Sequence, residues 1–177
     1  MSHDFEHRIA TREDIPRLSD LVDSAIGENQ RGFLDADQIQ SSRAIMGLDS
    51  QLIEDGTYFV IEQAGQVAGC GGWSRRATMY GGDHTPGRDA ELLNPQTDAA
   101  RVRAMYTHPN FVRRGIGRLI LGLCEAAARA EGFQRLELVA TRSGEPLYLS
   151  AGYAPIEAMS DATGGAAVPL LLMGKTI

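Results

Sequence analysis

The run Met105-Tyr106-Thr107-His108-Pro109-Asn110-Phe111-Val112-Arg113-Arg114-Gly115-Ile116-Gly117-Arg118-Leu119 constrains this chain more than any other stretch. It reads as a strand, a short turn, then a basic, glycine-punctuated loop that opens a long amphipathic helix. The helix follows from one apolar stripe, made by Ile116, Leu119, Ile120, Leu123, Cys124, Ala127 and Ala130. A helix start carries unpaired N–H groups and the positive end of a dipole, so it is an anion site. Glycines at 115 and 117 let a bulky phosphate group approach the main chain. Arg113, Arg114 and Arg118 add positive charge, and the segment predicts a site for a phosphorylated cofactor.

That basic cluster sits against an acidic background. The chain has a formal net charge of −6, which argues against general affinity for nucleic acid or an anionic membrane. Its 177 residues predict one domain spanning 1–177, with 43% hydrophobic and 23% charged residues, ordinary for a globular protein. No apolar run approaches the roughly 20 residues of a membrane span. The opening Met1-Ser2-His3-Asp4 lacks the apolar stretch of a signal peptide. Cys70 and Cys124 lie in unlike contexts, so no disulfide framework is expected and cytoplasmic residence is the expectation.

The rest of the chain supplies partners for this unit. Phe5 to Ala10 reads as a strand, and Ile15, Leu18, Leu21, Val22, Ala25 and Ile26 follow helical spacing behind a Thr11/Asp14 capping pair. A second helix is expected over about Asp35 to Leu48. Strands at Thr57–Gln63 and Gln66–Gly72 join at Ala64-Gly65, a hairpin signal. Residues 75–100 are rich in Gly, Pro, Asp and Asn and read as a long loop, either a functional flap or disordered. Strands Arg101–Thr107 and Arg135–Thr141 flank the helix Arg114–Gly132. A short helix Glu145–Ala151 and strands Tyr153–Met159 and Val168–Lys175 follow. This order predicts a mixed α/β domain around a strongly twisted sheet.

Two common phosphate motifs fail. A dinucleotide fingerprint needs a third glycine where Ile120 stands, and no Gly-x-x-x-x-Gly-Lys-Ser/Thr occurs. What remains is His108-Pro109 followed by Val112-Arg113-Arg114-Gly115-Ile116-Gly117, and then Leu147-Tyr148 with Gly152-Tyr153. Over about residues 101–155 the chain resembles the GNAT family of acyl-CoA-dependent N-acyltransferases. Those proteins carry Gln/Arg-x-x-Gly-x-Gly/Ala before the helix and Asn-x-x-Ala-x-x-Leu/Phe-Tyr-x-x-x-Gly-Phe/Tyr after the next strand. Val112, Thr141 and Gly144 depart from these patterns at their Gln/Arg, Asn and Ala positions.

The resemblance implies a twisted mixed sheet of about seven strands flanked by about four helices. It implies an N-acetyltransferase that moves an acetyl group from acetyl-CoA to a primary amine, in a ternary complex and without a covalent enzyme intermediate. The amides of Arg113, Arg114, Gly115, Ile116, Gly117 and Arg118, after Val112, would hold the coenzyme A diphosphate. Main-chain atoms of Met105, Tyr106 and Thr107 would run along the pantetheine arm as an added strand, with Thr141 a further contact. Pantetheine would enter where the strands Arg101–Thr107 and Arg135–Thr141 splay. A non-catalytic acyl-CoA-binding module is the alternative of another class, and a phosphate-binding regulatory domain a third. Expected partners are a small-molecule amine or a protein N-terminus. Neither nucleic acid nor membrane is expected, and a homodimer is compatible with all of this.

Tyr148 carries the sharpest chemical proposal. A phenol with an ordinary pKa of about 10 is protonated at neutral pH and can protonate the departing thiolate. The competing reading is core packing beneath the short helix. No motif marks a base; His84, Glu91, Glu62 and Glu137 are the candidates. Arg101 and Arg103 share a strand face, where they pair with carboxylates such as Glu62 or Glu137. Alternatively, Arg103 meets an acceptor carboxylate. Trp73 and His84 are further acceptor-side candidates, against core packing and a plain surface loop respectively. His108 reads as a turn residue and Cys124 as a buried small hydrophobe. The His and Cys residues show no metal-ligand spacing, so no metal is expected.

Overall fold

The computed structural model describes residues 4–177; the expectation read from Met1-Ser2-His3 falls outside the described residues. Seven strands form one sheet in the order β1-β2-β3-β4-β5-β7-β6. They are β1 (Glu6–Ile9), β2 (Tyr58–Gln63), β3 (Gln66–Ser74), β4 (Ala100–Thr107), β5 (Arg135–Thr141), β6 (Ala154–Asp161) and β7 (Val168–Thr176). Every pairing is antiparallel except β4 with β5. The helices are α1 (Ile15–Asn29), α2 (Ala36–Ser42), α3 (Ser50–Glu54), α4 (Ile116–Ala130) and α5 (Glu145–Ser150).

Strand alternation separates two apolar layers. Tyr58, Val60 and Cys70 pack with Leu18, Leu21, Val22 and Ile26 of α1 on one face. Phe59, Ile61, Leu136 and Leu138 pack with Ile116, Ile120, Leu121 and Cys124 of α4 on the other. Burying both stripes is the main driving force, at about 25 cal/mol per Å2 of apolar surface removed from water. The Ala64-Gly65 turn takes positive φ at both residues, as a tight two-residue hairpin requires.

Three regions differ from expectation. The helix expected to reach Leu48 ends at Ser42. There Ser42 Oγ donates to Ile39 O and Ser41 Oγ to Ala166 O, so both hydroxyls satisfy carbonyls rather than extend an apolar face. A separate short helix, α3, follows, capped by Asp49, whose carboxylate accepts from Gln51 N. The 75–100 segment is no open flap. Its first part is an excursion that folds back on itself, with Ala77 N donating to Glu91 O, Thr78 N to Asp89 O and Leu93 N to Arg75 O. Arg76 pins it to the end of α3 through two bonds to Asp55, of 2.7 and 2.9 Å.

Candidate functional site

The sheet opens at its one parallel seam. β4 and β5 pair only at Ala100–Leu136 and Arg101–Glu137; beyond these residues the strands part. A bulge helps to turn β4 away: the register with β3 slips between Cys70 and Gly72, and Ala104 takes φ +50°. That costly backbone is held by Tyr58, whose hydroxyl donates to Ala104 O at 2.6 Å. Inside the opening lies a cavity of about 80 Å3. It is lined by Val102–Tyr106 of β4, by Leu138, Val139 and Thr141 of β5, by Tyr148 of α5, and by Ile45–Gly47 and Met79–Gly81.

The loop before α4 has the geometry of an anion nest. Arg113 (φ +61°) and Gly115 (φ +85°), the N-cap of α4, are both left-handed, the backbone conformation from which anion-binding nests are built. Residues 112–115 are exposed. The two glycines have different jobs. Gly115 supplies the left-handed turn. Gly117 makes room for a neighbour, because a Cβ there would meet Leu147 Cδ2 at 2.5 Å. That close approach lets α5 sit against the first turn of α4, with Tyr148 one residue further on. Gly144 likewise leaves space for the Tyr148 ring. The arginine side chains are mostly engaged elsewhere: Arg118 donates to Ser150 Oγ and Arg114 lies over the Phe111 ring.

Tyr148 is half-buried, edge-on to Tyr153, and its hydroxyl has only the weak acceptor Met105 Sδ, at 3.8 Å. Burial pushes its phenol well above the ordinary value, so it is held as a proton donor. Thr141 lines the same cavity, its hydroxyl 3.2 Å from Ser143 Oγ. Val112 is exposed beside the nest. Met105 and Thr107 keep their places on β4. The Tyr106 side chain turns away into the α1 layer, where its oxygen accepts from Gly47 N, so only its main chain is free to follow a ligand along the strand.

On the acceptor side, several expectations are corrected. Trp73 is 2% exposed and packs edge-on against Phe133, a core residue that does not reach the cavity. His84 lies on Gly47 and bonds Arg43 O through Nε2 at 2.7 Å, so it ties down the excursion outside the cavity. Arg103 does line the cavity but pairs with neither Glu62 nor Glu137. Its buried partner is Asp49, at 2.9 Å, with Gly81 O at 2.7 Å and Arg88 completing the cluster. Burial pushes the Arg103 guanidinium down, and Asp49 opposes that shift.

The base candidates also disperse. Glu62 pairs with Arg8, and Glu137 with Arg101 and Arg135. Glu91 contributes main-chain bonds to the excursion. His108 is the expected turn residue, its Nδ1 accepting from Asn110 N. Cys124 is buried in the α4 layer. Among the described residues, no group of three or more His, Cys, Asp or Glu is placed to hold a metal, and no helix is long and apolar enough to cross a membrane.

Sequence reasoning missed Tyr80 and Asp161. Both lie in segments without motif, and only the fold brings the two together: Tyr80 lines the cavity and donates to Asp161 Oδ2 at 2.7 Å.

This architecture recurs among solved structures. The GCN5-related N-acetyltransferase from Rhodopseudomonas palustris is similar at a TM-score of 0.72 and 16% identity, over 97% of this chain and 95% of that one. The PaiA N-acetyltransferase from Thermoplasma acidophilum, solved with coenzyme A, gives 0.67 and 13%, over 98% and 99%. The ribosomal-protein-alanine N-acetyltransferase from Brucella melitensis gives 0.64 and 19%, over 97% and 99%. At such identities these likenesses show the fold. Against proteins of curated function the sequence has no match. The family model for the acetyltransferase (GNAT) domain matches residues 54–155, from the end of α3 to the start of β6, and thus takes in the bulged β4, the nest and Tyr148. With more than half of its length under that model, the chain belongs to the GNAT family of acetyltransferases.

Proposed function

We propose that this protein transfers an acetyl group from acetyl-CoA to a primary amine, by direct attack of the amine within a ternary complex. One observation carries the reading: the parted β4–β5 seam has the left-handed nest beside it and Tyr148 in its cavity wall. The nest would take the diphosphate of coenzyme A through the amides of residues 113–118. The β4 edge released by β5 would take pantetheine as an added strand. A main-chain N–H of β4 would polarise the thioester carbonyl, the kind of fixed dipole that stabilises a developing oxyanion. Tyr148 would protonate the thiolate as the C–S bond breaks. The acceptor is a small-molecule amine or a protein N-terminus. Two related proteins support these parts, one solved with coenzyme A and one named for acetylating a ribosomal-protein alanine.

The test is thiol release from acetyl-CoA in the presence of an amine panel: an alanine-terminated peptide, a polyamine and an amino sugar. Turnover with at least one of them, together with a coenzyme A-dependent rise in melting temperature, is expected. A rise in melting temperature with no thiol release from any amine would leave a coenzyme A-binding module and overturn the catalytic reading.

A further inference from the structure

Three tyrosines contribute to the cavity wall, and the hydrogen-bond polarity of their hydroxyls differs. Tyr148 Oη has a free proton to give, since its neighbour is a thioether. Tyr106 Oη accepts from a main-chain N–H and points away from the seam. Tyr80 Oη gives its proton to the Asp161 carboxylate, which leaves its own oxygen lone pairs as acceptors. One phenol with its proton uncommitted and another whose proton is already given to a carboxylate can serve the same reaction as donor and acceptor.

Resting on the acetyl-transfer reading above, we propose that Tyr80 accepts the acceptor's N–H in the cavity and relays its proton to Asp161, making Tyr80 a catalytic residue and Asp161 its positioning partner. The balance is complete. The neutral amine attacks the thioester carbon and the C–N bond forms. The nitrogen, made acidic by that bond, passes its proton to Tyr80 Oη as the Tyr80 proton moves to Asp161 Oδ2. The C–S bond then breaks and the thiolate takes the Tyr148 proton. Asp161 is half-buried and returns its proton to solvent, from which Tyr148 recovers one. No free Tyr80 phenolate is needed at any point. One would be unfavourable, because burial and the Asp161 bond push the Tyr80 phenol up to about 12.

The surrounding charges agree with this direction of transfer. Arg103, the one cation in the cavity wall among the described residues, is neutralised by Asp49, so the nearest charge able to draw a proton through Tyr80 is the Asp161 carboxylate. Asp49 is fully engaged, since Arg88 binds it as well as Arg103, and neither Asp49 nor Arg88 lines the cavity. His84, four residues along the excursion, is bound to Arg43 O. Asp161 is held below the usual carboxylate range, first by Thr163 and also by Tyr80, so it is ionised and ready at neutral pH. Tyr80 otherwise packs among Leu34, Ile45, Met159, Val168 and Leu170, which keeps its ring in place.

The experiment compares Tyr80→Phe and Asp161→Asn with wild type, using the best amine of the panel over a range of pH. Asparagine still accepts the phenol's hydrogen bond, so Asp161→Asn keeps the excursion tethered to β6 while removing the base. Each variant is expected to lower kcat by about 10²-fold near pH 7, to leave KM for acetyl-CoA within about twofold, and to flatten the acidic limb of the profile. The double variant should be no slower than either single one, as for groups that act as a unit. Wild-type kcat in Asp161→Asn with a loss in Tyr80→Phe would reduce the bond to a tether and overturn the relay. So would both variants remaining within about threefold of wild type. If wild type itself released no thiol with any amine, the acetyl-transfer reading would fail and take the relay with it.

Discussion

Around the start of α4 the useful groups belong to the main chain of one short run, 112–118, whose shape follows from two left-handed residues. Around Tyr80 they are side chains drawn from separate segments. Asp49 meets Arg103 across 54 positions, Tyr80 meets Asp161 across 81, and Thr85 meets Ala44 O across 41. A site made of consecutive amides is insensitive to most side-chain changes, and it suits a ligand part that never varies, such as a diphosphate. A site made of distant side chains can be rebuilt by single substitutions and suits the part of the reaction that distinguishes acceptors. The two regions meet at Tyr148, which the Gly117–Leu147 contact holds beside the start of α4 and which lines the cavity.

The sharpest break of this comparison is at the meeting point. Tyr148→Phe should lower kcat by about 10²–10⁴-fold with little change in KM for acetyl-CoA, read by steady-state thiol release. Next comes the acceptor side's buried charge. Asp49→Ala removes both the cap of α3 and the partner of the buried Arg103, and chemical denaturation should show a loss of about 3–5 kcal/mol.

A smaller, pH-dependent effect separates the halves. Arg76 holds the Asp55 carboxyl below its usual value, so the folded form binds that proton less readily than the unfolded form. The stabilisation is therefore present above the ordinary carboxylate pKa of about 4 and is lost as pH falls through the lower folded value. Melting curves of Asp55→Asn should show a deficit of about 1.5–3 kcal/mol near neutrality that closes in acid, with the excursion losing amide protection before α4.

On the donor side, Gly115→Val meets no steric neighbour and is penalised only by its φ of +85°. The strain of about 1–2 kcal/mol should raise KM for acetyl-CoA up to roughly tenfold. Arg113→Ala is the smallest. If amides hold the diphosphate, KM should rise less than about threefold, since one exposed charge is worth about 1 kcal/mol or less. A larger loss there than in Gly115→Val would reverse the contrast between main chain and side chain.

The shape of the chain around the start of α4 was legible because its signals are local. Val112–Gly117, the α4 stripe and Leu147-Tyr148 each announce themselves within a few residues, and β5 lies where alternation places it. The acceptor half was not legible. Arg103 was recognised as a charge needing a partner, yet Asp49 is 54 residues away and carries no mark beyond being a good helix cap. The short α3 was hidden because Leu52 and Ile53 make too brief an apolar run to show a period. Over 75–100 the Gly, Pro, Asp and Asn content reads as a long flap or a disordered stretch, because composition cannot show that the segment is bonded back to α3 and β6. Trp73, at the strand's end, reads equally as a pocket residue or a core residue, because its length of chain borders the loop. The strand in fact continues through Ser74 and turns the indole inward.

The parted seam also bears on the protein's behaviour outside catalysis. Beyond Arg101 and Glu137, β4 and β5 no longer pair with one another, so each presents an inner edge without a neighbouring strand. Strand edges of that kind are templates for pairing with other chains. Here both are turned toward one another inside a single molecule, where a foreign strand has poor access. A ligand that laid an extended amide chain between them would complete the sheet, and its concentration would then set the population of intact molecules by mass action.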